Sequence, residues 1–234
     1  MKIRKKMPDG HHHGNLREAV LAAAMSLLRQ RQTPSFNLRE IAEMTGVGHS
    51  AVYRHFASKD ALLADIAARG FTELAQIQDR EMALAGDDPW ERLIAAGLAY
   101  VNFARTNRAA YIVMFDPTMR ERWNELENVR TALDTSFGQF AKTIVACQTA
   151  GLLPAAPLEI LTSMLWSAGH GLAQLLGSGH LDWLQSSAIG EDQFVSIAIH
   201  VFCEALRAPA SRPWLELRPS LAAATPGPRS KNSS

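Results

Sequence analysis

The sequence predicts an all-α protein in two helical parts, and three observations predict it. Apolar residues recur at helical spacing from about residue 15 to residue 208, with no strand-like alternation competing. The stretch from Asn37 to Lys59, NLREIAEMTGVGHSAVYRHFASK, reads as two short helices joined by a tight turn. Charge also divides along the chain. The net charge is +1, yet residues 1–60 hold ten Lys/Arg against five Asp/Glu, a balance of +5 that leaves −4 for residues 61–234. The basic N-terminal part favours a nucleic-acid partner and the acidic remainder a different task. A chain of 234 residues is long enough for one large or two smaller domains.

The chain opens with an arm, Met1 to about Gly14, that is expected to be disordered. Lys2, Arg4, Lys5 and Lys6 suit an arm lying along a DNA backbone or in a minor groove, and equally a solvated tail. Adjacent His11, His12 and His13 in a flexible segment make a poor closed metal site, so no metal or cofactor is assigned. Asn15 to about Gln30 forms the first helix, with Ala19, Val20, Ala23, Ala24, Leu27 and Leu28 as its buried stripe. Pro34 closes the loop that follows.

Asn37 is a good N-cap for the next helix, and Glu40 three residues on completes a capping box. Leu38, Ile41 and Ala42 face inward, Gly46 supplies the left-handed residue that ends the helix, and Val47 fills the space between it and its successor. The second helix, roughly His49 to Phe56, turns Val52 and Phe56 inward. Its other side carries His49, Ser50, Tyr53, Arg54 and His55, a short polar and basic face of the kind a major groove accepts. On this reading His49, Ser50 and Arg39 approach base edges, Ala51 touches a thymine methyl, and Gly48 opens the same surface. Tyr53, His55 and Lys59 hold phosphates, and Arg54 suits either role. Ser58 caps the following helix, placing Lys59 at its start, where backbone N–H groups and the ammonium together favour a phosphate.

REIAEMTGVGHSAVYRHFASKDALL resembles the DNA-binding segment of the TetR family of bacterial transcriptional regulators. The Gly46-Val47 turn, the run from Tyr53 to Phe56 and the run from Lys59 to Leu63 carry the resemblance, which covers roughly residues 15–65. Gly48 departs from the pattern, standing where a capping Ser is common and leaving that helix a weaker cap. The resemblance implies a helix-turn-helix DNA-binding domain over residues 15–58. It also implies a helical regulatory and dimerisation domain over 59–208, joined to the first by a long helix able to transmit a tilt or shift.

That long helix is expected over 59–85, with Leu63, Ile66, Leu74 and Ile77 inward, and it stops at Gly86-Asp87-Asp88-Pro89. Further helices are expected over 90–106, 108–115, 118–150, 158–176 and 192–208, with a helical turn at 181–184 between the last two. Prolines at 209, 213, 219, 226 and 228 mark a disordered tail over 209–234. Helices 158–176 and 192–208 are apolar around most of their circumference, which calls for cover on both sides, most simply by a second copy of the chain. Leu165-Trp166-Ser167-Ala168-Gly169-His170-Gly171-Leu172 is similar to a Trp-x-x-x-His-Gly signature of one TetR subgroup. The run Tyr111 to Phe115 resembles the same subgroup.

Phe103, Tyr111, Met114, Phe115, Trp123, Phe137, Met164, Trp166 and His170 form the candidate effector-binding set. Most such side chains are ordinary core, but an imidazole on an apolar helix needs a partner, either a protein group or a ligand. A mainly apolar cavity bordered by Trp166 and His170 suits a hydrophobic or aromatic effector with one polar group. No nucleophile elbow, phosphate-cradling loop or zinc-binding His pair supports an enzyme. A helical enzyme built on His170 remains the alternative without a second motif. The two cysteines, Cys147 and Cys203, suggest no disulfide framework, and no signal peptide or membrane-length apolar run is present. The expectation is a cytoplasmic, homodimeric, effector-responsive regulator that binds a palindromic operator, as a repressor or, alternatively, an activator.

Overall fold

The computed structural model describes residues 13–207 apart from residues 120, 121, 124 and 125, with side chains from residue 16 onward. The basic arm, the side chains of the His11–His13 run and the tail expected at 209–234 lie outside the described residues. Every regular element among the described residues is helical. In chain order these are α1 (His13–Arg31), α2 (Leu38–Thr45), α3 (His49–Tyr53), α4 (Lys59–Leu84), α5 (Pro89–Thr106), α6 (Arg108–Met114), α7 (Glu127–Thr149), α8 (Leu158–Gly177) and α9 (Glu191–Leu206). A short 3-10 turn, Asp182–Ser186, precedes α9.

Helices α1, α2 and α3 form the N-terminal head. Asn37 caps α2 by accepting the Glu40 N–H at 3.0 Å. Gly46 sits at φ 67, where a side chain would be strained, and the Val47 N–H returns to the Ala42 carbonyl at 3.1 Å. Leu38, Ile41, Val52 and Phe56 meet Val20, Leu21, Ala24, Leu27 and Leu28 in the head's core. The Arg17 guanidinium donates to Asp65 at 2.7 Å, and Arg69 binds Glu18 through two hydrogen bonds of 2.9 and 2.7 Å. Those bridges fasten α1 to the first turns of α4, and the Arg69 guanidinium holds the exposed Glu18 carboxyl below its ordinary value.

Helix α4 runs from the head into the C-terminal core, where it packs against α7, α5 and α6. Ser58 caps it by accepting the Ala61 N–H at 3.1 Å, as its sequence position predicts. At Gly70 the backbone of α4 passes so close to α6 that a Cβ there would lie 2.5 Å from the Met114 Sδ. Asp88 caps α5 through the Trp90 N–H at 2.9 Å, with Pro89 in the first turn.

Two expectations need correction. The second head helix is shorter than 49–56: it ends at Tyr53, and only a turn at Val52 carries the chain on to buried Phe56. The helix expected over 118–150 is broken. Asp116 accepts both the Thr118 N–H (2.8 Å) and its hydroxyl (2.7 Å), and buried Trp123 donates its indole N–H to the Met114 carbonyl at 3.2 Å. Arg122 and Trp123 lie in a helical piece of their own, the Trp123 N–H bonding to the Met119 carbonyl at 3.0 Å, and the long helix begins only at Glu127, after a break at Leu126.

Candidate functional site

The head presents one exposed polar surface. His49, Ser50, Tyr53 and Arg54 are exposed on α3 with Gly48 before them, and Arg39 is exposed on α2. Ala51 and His55 are half-buried at the edge of this surface, while Val52, between them, is fully buried. The His49 and Tyr53 rings meet edge to face with centroids 4.7 Å apart, so one turn of helix carries an interacting aromatic pair. Arg39 and Arg54 enter no ion pair among the described residues, in contrast to Arg17, Arg31 and Arg69. Two uncompensated cations beside a hydroxyl and an imidazole make a surface suited to phosphates and base edges.

Lys59 is placed differently from the rest. Its ammonium donates to the Pro34 carbonyl and lies 5.2 Å from the centroid of the Phe36 ring. Arg31 reinforces the same loop by donating to the Ser35 carbonyl and by pairing with Glu40. The Arg31 guanidinium holds the exposed Glu40 carboxyl below its ordinary value. An ammonium has three donors and this bond uses one, so Lys59 keeps capacity for a phosphate while tying the α1–α2 loop to α4.

In the C-terminal core the side chains proposed for an effector site separate into groups. Phe137 and Trp166 border a partly open, apolar cavity of about 50 Å³ between α4, α5, α7, α8 and α9. Tyr111 and Phe115 border instead an open groove of about 530 Å³, whose opposite wall is the Gln32–Ser35 loop of the head. Phe103, Met114 and Trp123 are packed into the core and reach neither space. Met164 lies on the outer face of α8, 39% exposed. His170 stands between cavity and groove without bordering either.

What His170 does is bind tyrosines. The hydroxyl oxygens of Tyr100 and Tyr111 each lie 2.8 Å from its Nδ1 and 3.3 Å from one another. The Trp166 indole N–H donates to the Tyr100 oxygen at 3.3 Å. On the far side of the ring, the Gln174 amide nitrogen is 3.5 Å from Nε2, and the Gln174 Oε1 accepts from Arg108 at 3.3 Å. Arg108 can only donate, so it fixes the Gln174 amide with its NH₂ toward the imidazole. The proton is then assigned to Nδ1, from which it is donated to a tyrosine oxygen. One tyrosine hydroxyl proton is left without an acceptor in this arrangement. Burial first, and the Arg108 charge second, hold the imidazole below its ordinary value, which keeps it neutral. Burial raises both tyrosines, Tyr111 to about 12 and Tyr100 beyond that.

Tyr100, Arg108 and Gln174 carry much of this network, Gln78 and Ser136 line the cavity beside it, and none of the five was singled out from the sequence. Tyr100 had a usable signal: it stands on the α5 stripe that also carries Leu93 and Phe103, with a hydroxyl that burial obliges to find a partner. The two cysteines are free and buried, with burial raising Cys147 to about 11 and Cys203 to about 12. Among the described residues no cluster of three or more metal-ligating side chains occurs, and no helix is long and apolar enough to cross a membrane.

Comparison with known proteins agrees with this geometry. Residues 20–66 match the model of bacterial regulatory proteins of the tetR family, and residues 93–201 match that of the tetracyclin repressor-like C-terminal domain. The second match does not single out the subgroup suggested by Trp166, His170 and Gly171. Over 78 residues the chain is 33% identical to an HTH-type transcriptional repressor of Mycobacterium tuberculosis and to an HTH-type transcriptional regulator of Mycobacterium bovis. That segment is 33% of this chain and spans 40% of the length of those relatives. A Rhodococcus structure described as a protein with unknown function superposes with a TM-score of 0.70 at 27% identity, covering 86% of this chain and all (100%) of that one. A putative tetR family transcription regulator from Shewanella shares the fold with a TM-score of 0.64 at 18% identity, covering 82% and 98% of the two chains. With its head and its C-terminal core each matched by that family's own models, the chain belongs to the TetR family of bacterial transcriptional regulators.

Proposed function

We propose that the chain is a repressor that binds a palindromic operator as a homodimer and releases it when a small, mainly apolar molecule enters the C-terminal core. The observation that carries the DNA-binding part is the exposed face of α3, with Arg39 and Arg54 unpaired beside His49, Ser50 and Tyr53. Repression is the activity named for the Mycobacterium tuberculosis relative and is adopted here on that support. Arg39, His49 and Ser50 read base edges and Ala51 meets a thymine methyl. Tyr53, His55 and Lys59 hold phosphates, and Arg54 serves either end.

The test is gel-shift titration against the palindromes flanking its own gene, at several salt concentrations, beside random DNA. Wild-type protein should prefer one palindrome and lose affinity steeply with salt. His49→Ala should change base preference at one operator position. Lys59→Ala should weaken binding to all sequences and lower the salt slope by about one. Equal losses by both variants on specific and random DNA would overturn these assignments.

A further inference from the structure

The cavity is apolar over most of its wall, but two of its lining groups lack partners. Ser136, on α7, is 3% exposed, and its hydroxyl makes no hydrogen bond among the described residues. Gln78, on α4, is 4% exposed and donates its amide to the Ala96 carbonyl at 3.2 Å, which leaves its Oε1 without a donor. Neither atom is among the side-chain atoms sealed from solvent without a partner, so each keeps surface open to the cavity, where the polar group of a guest can meet it. Across the cavity stands Tyr100, a member of the hydroxyl network that has one proton more than it can place.

The remaining wall limits what can enter. Leu74, Leu93, Leu165 and Ile199 supply aliphatic surface, and Phe137, Phe140, Trp166 and Phe202 supply rings. The lining holds no carboxylate, ammonium, guanidinium or imidazole. A charged guest would therefore lose its hydration without gaining a counter-charge. A guest with a flat ring gains edge and face contacts from several directions.

Resting on the reading of this core as an effector-binding domain, we infer that its ligand is a neutral aromatic molecule bearing one hydroxyl. That group gives its proton to the Gln78 Oε1 and shares hydrogen bonds with the Ser136 and Tyr100 hydroxyls, while the ring lies among Phe137, Phe140, Trp166 and Phe202. A single hydroxyl is both donor and acceptor, which matches an unused acceptor beside unused hydroxyls. The cavity's space of about 50 Å³ is roughly a third of the space that admits benzene in an engineered apolar cavity. The ligand therefore enters by displacing the half-buried rings of Phe137, Phe140 and Phe202, moving α7 and α9 relative to α4.

The test is calorimetric titration and thermal melting of the full-length protein with three probes of one shape: p-cresol, toluene and p-toluate. Binding of p-cresol should be tightest, toluene weaker by about fivefold to tenfold for the lost hydrogen bond, and p-toluate weaker by roughly a hundredfold or more. Ser136→Ala and Gln78→Leu should each narrow the gap between p-cresol and toluene, Ser136→Ala being small enough to leave the fold intact. Equal or tighter binding of p-toluate, an unchanged gap in both variants, or binding by none of the three would overturn the inference. Operator binding measured on the same samples separates the two readings: a protein that shifts its operator yet fails these probes keeps its regulatory assignment and loses this ligand.

Discussion

At the scale of single residues, His170 shows how far sequence alone reaches. An imidazole on an apolar helix had to have a partner, and the sequence left two open, a protein group or a ligand. The structure supplies the first: two tyrosine hydroxyls take the ring nitrogen, from helices 59 and 70 residues away in sequence. Such a partnership depends on tertiary placement, which residue spacing within one helix does not encode. It also makes a pH prediction. Because burial and the Arg108 charge lower the imidazole's pKa, the unfolded chain takes up a proton before the folded one does as pH falls. The contribution of the neutral ring is complete above the ordinary histidine value and is lost as pH falls through the window between that value and the lowered one. Melting temperature should therefore fall more steeply for the wild type than for His170→Phe between about pH 7.5 and about pH 5. Parallel curves would show that His170 does not titrate as a buried neutral group.

At the scale of helices, most elements were legible because caps and stripes are local. Asn37, Gly46, Ser58 and Asp88 mark helix ends by side-chain or backbone geometry that each residue type supplies itself. The break just before α7 was not legible, because the Trp123 indole is anchored on a carbonyl of α6, nine residues back, and no local pattern signals that bond. The close approach of α4 and α6 was equally hidden, since Gly70 sits mid-helix with ordinary neighbours. It yields a sharp prediction. Gly70→Ala should destabilise the protein by about 1–3 kcal/mol, because its Cβ would meet the Met114 Sδ at 2.5 Å and Met114 is buried. Met114→Ala removes the obstacle, so the double variant should lose less stability in urea denaturation than the two single losses added together. Simple additivity would mean that α4 and α6 relax apart without strain.

At the scale of the whole molecule, the two faces of α8 and α9 have different fates. The inner faces, Leu161, Leu165, Leu172 and Ala173 on α8 and Val195, Ile199, Cys203 and Leu206 on α9, close the core. The outer faces leave Ile160, Met164 and Leu175 on α8 and Ile197 and Val201 on α9 exposed, Val201 at 57%. Exposed apolar residues singly are ordinary, but five of them on the outer sides of two adjacent helices are what an interface presents. The sequence already showed that both helices are apolar on two sides; which side faces outward needed the packing of α5 against them. A two-fold axis between two such faces would stack α8 and α9 on their mates as four helices, with Gly171 exposed among them to permit close approach. An obligate interface of this kind buries on the order of 2,000 Å² or more. Val201→Glu would place like charges on both sides of it without disturbing the core, since that side chain points away from Ile199 and Cys203. The variant should then run at half the wild-type mass in light scattering and keep its helical circular dichroism. It should also bind the palindromic operator weakly, because one head engages only one half-site. A wild-type protein that is monomeric at micromolar concentration, or a Val201→Glu variant that remains a dimer, would place the two-fold contact elsewhere on the molecule.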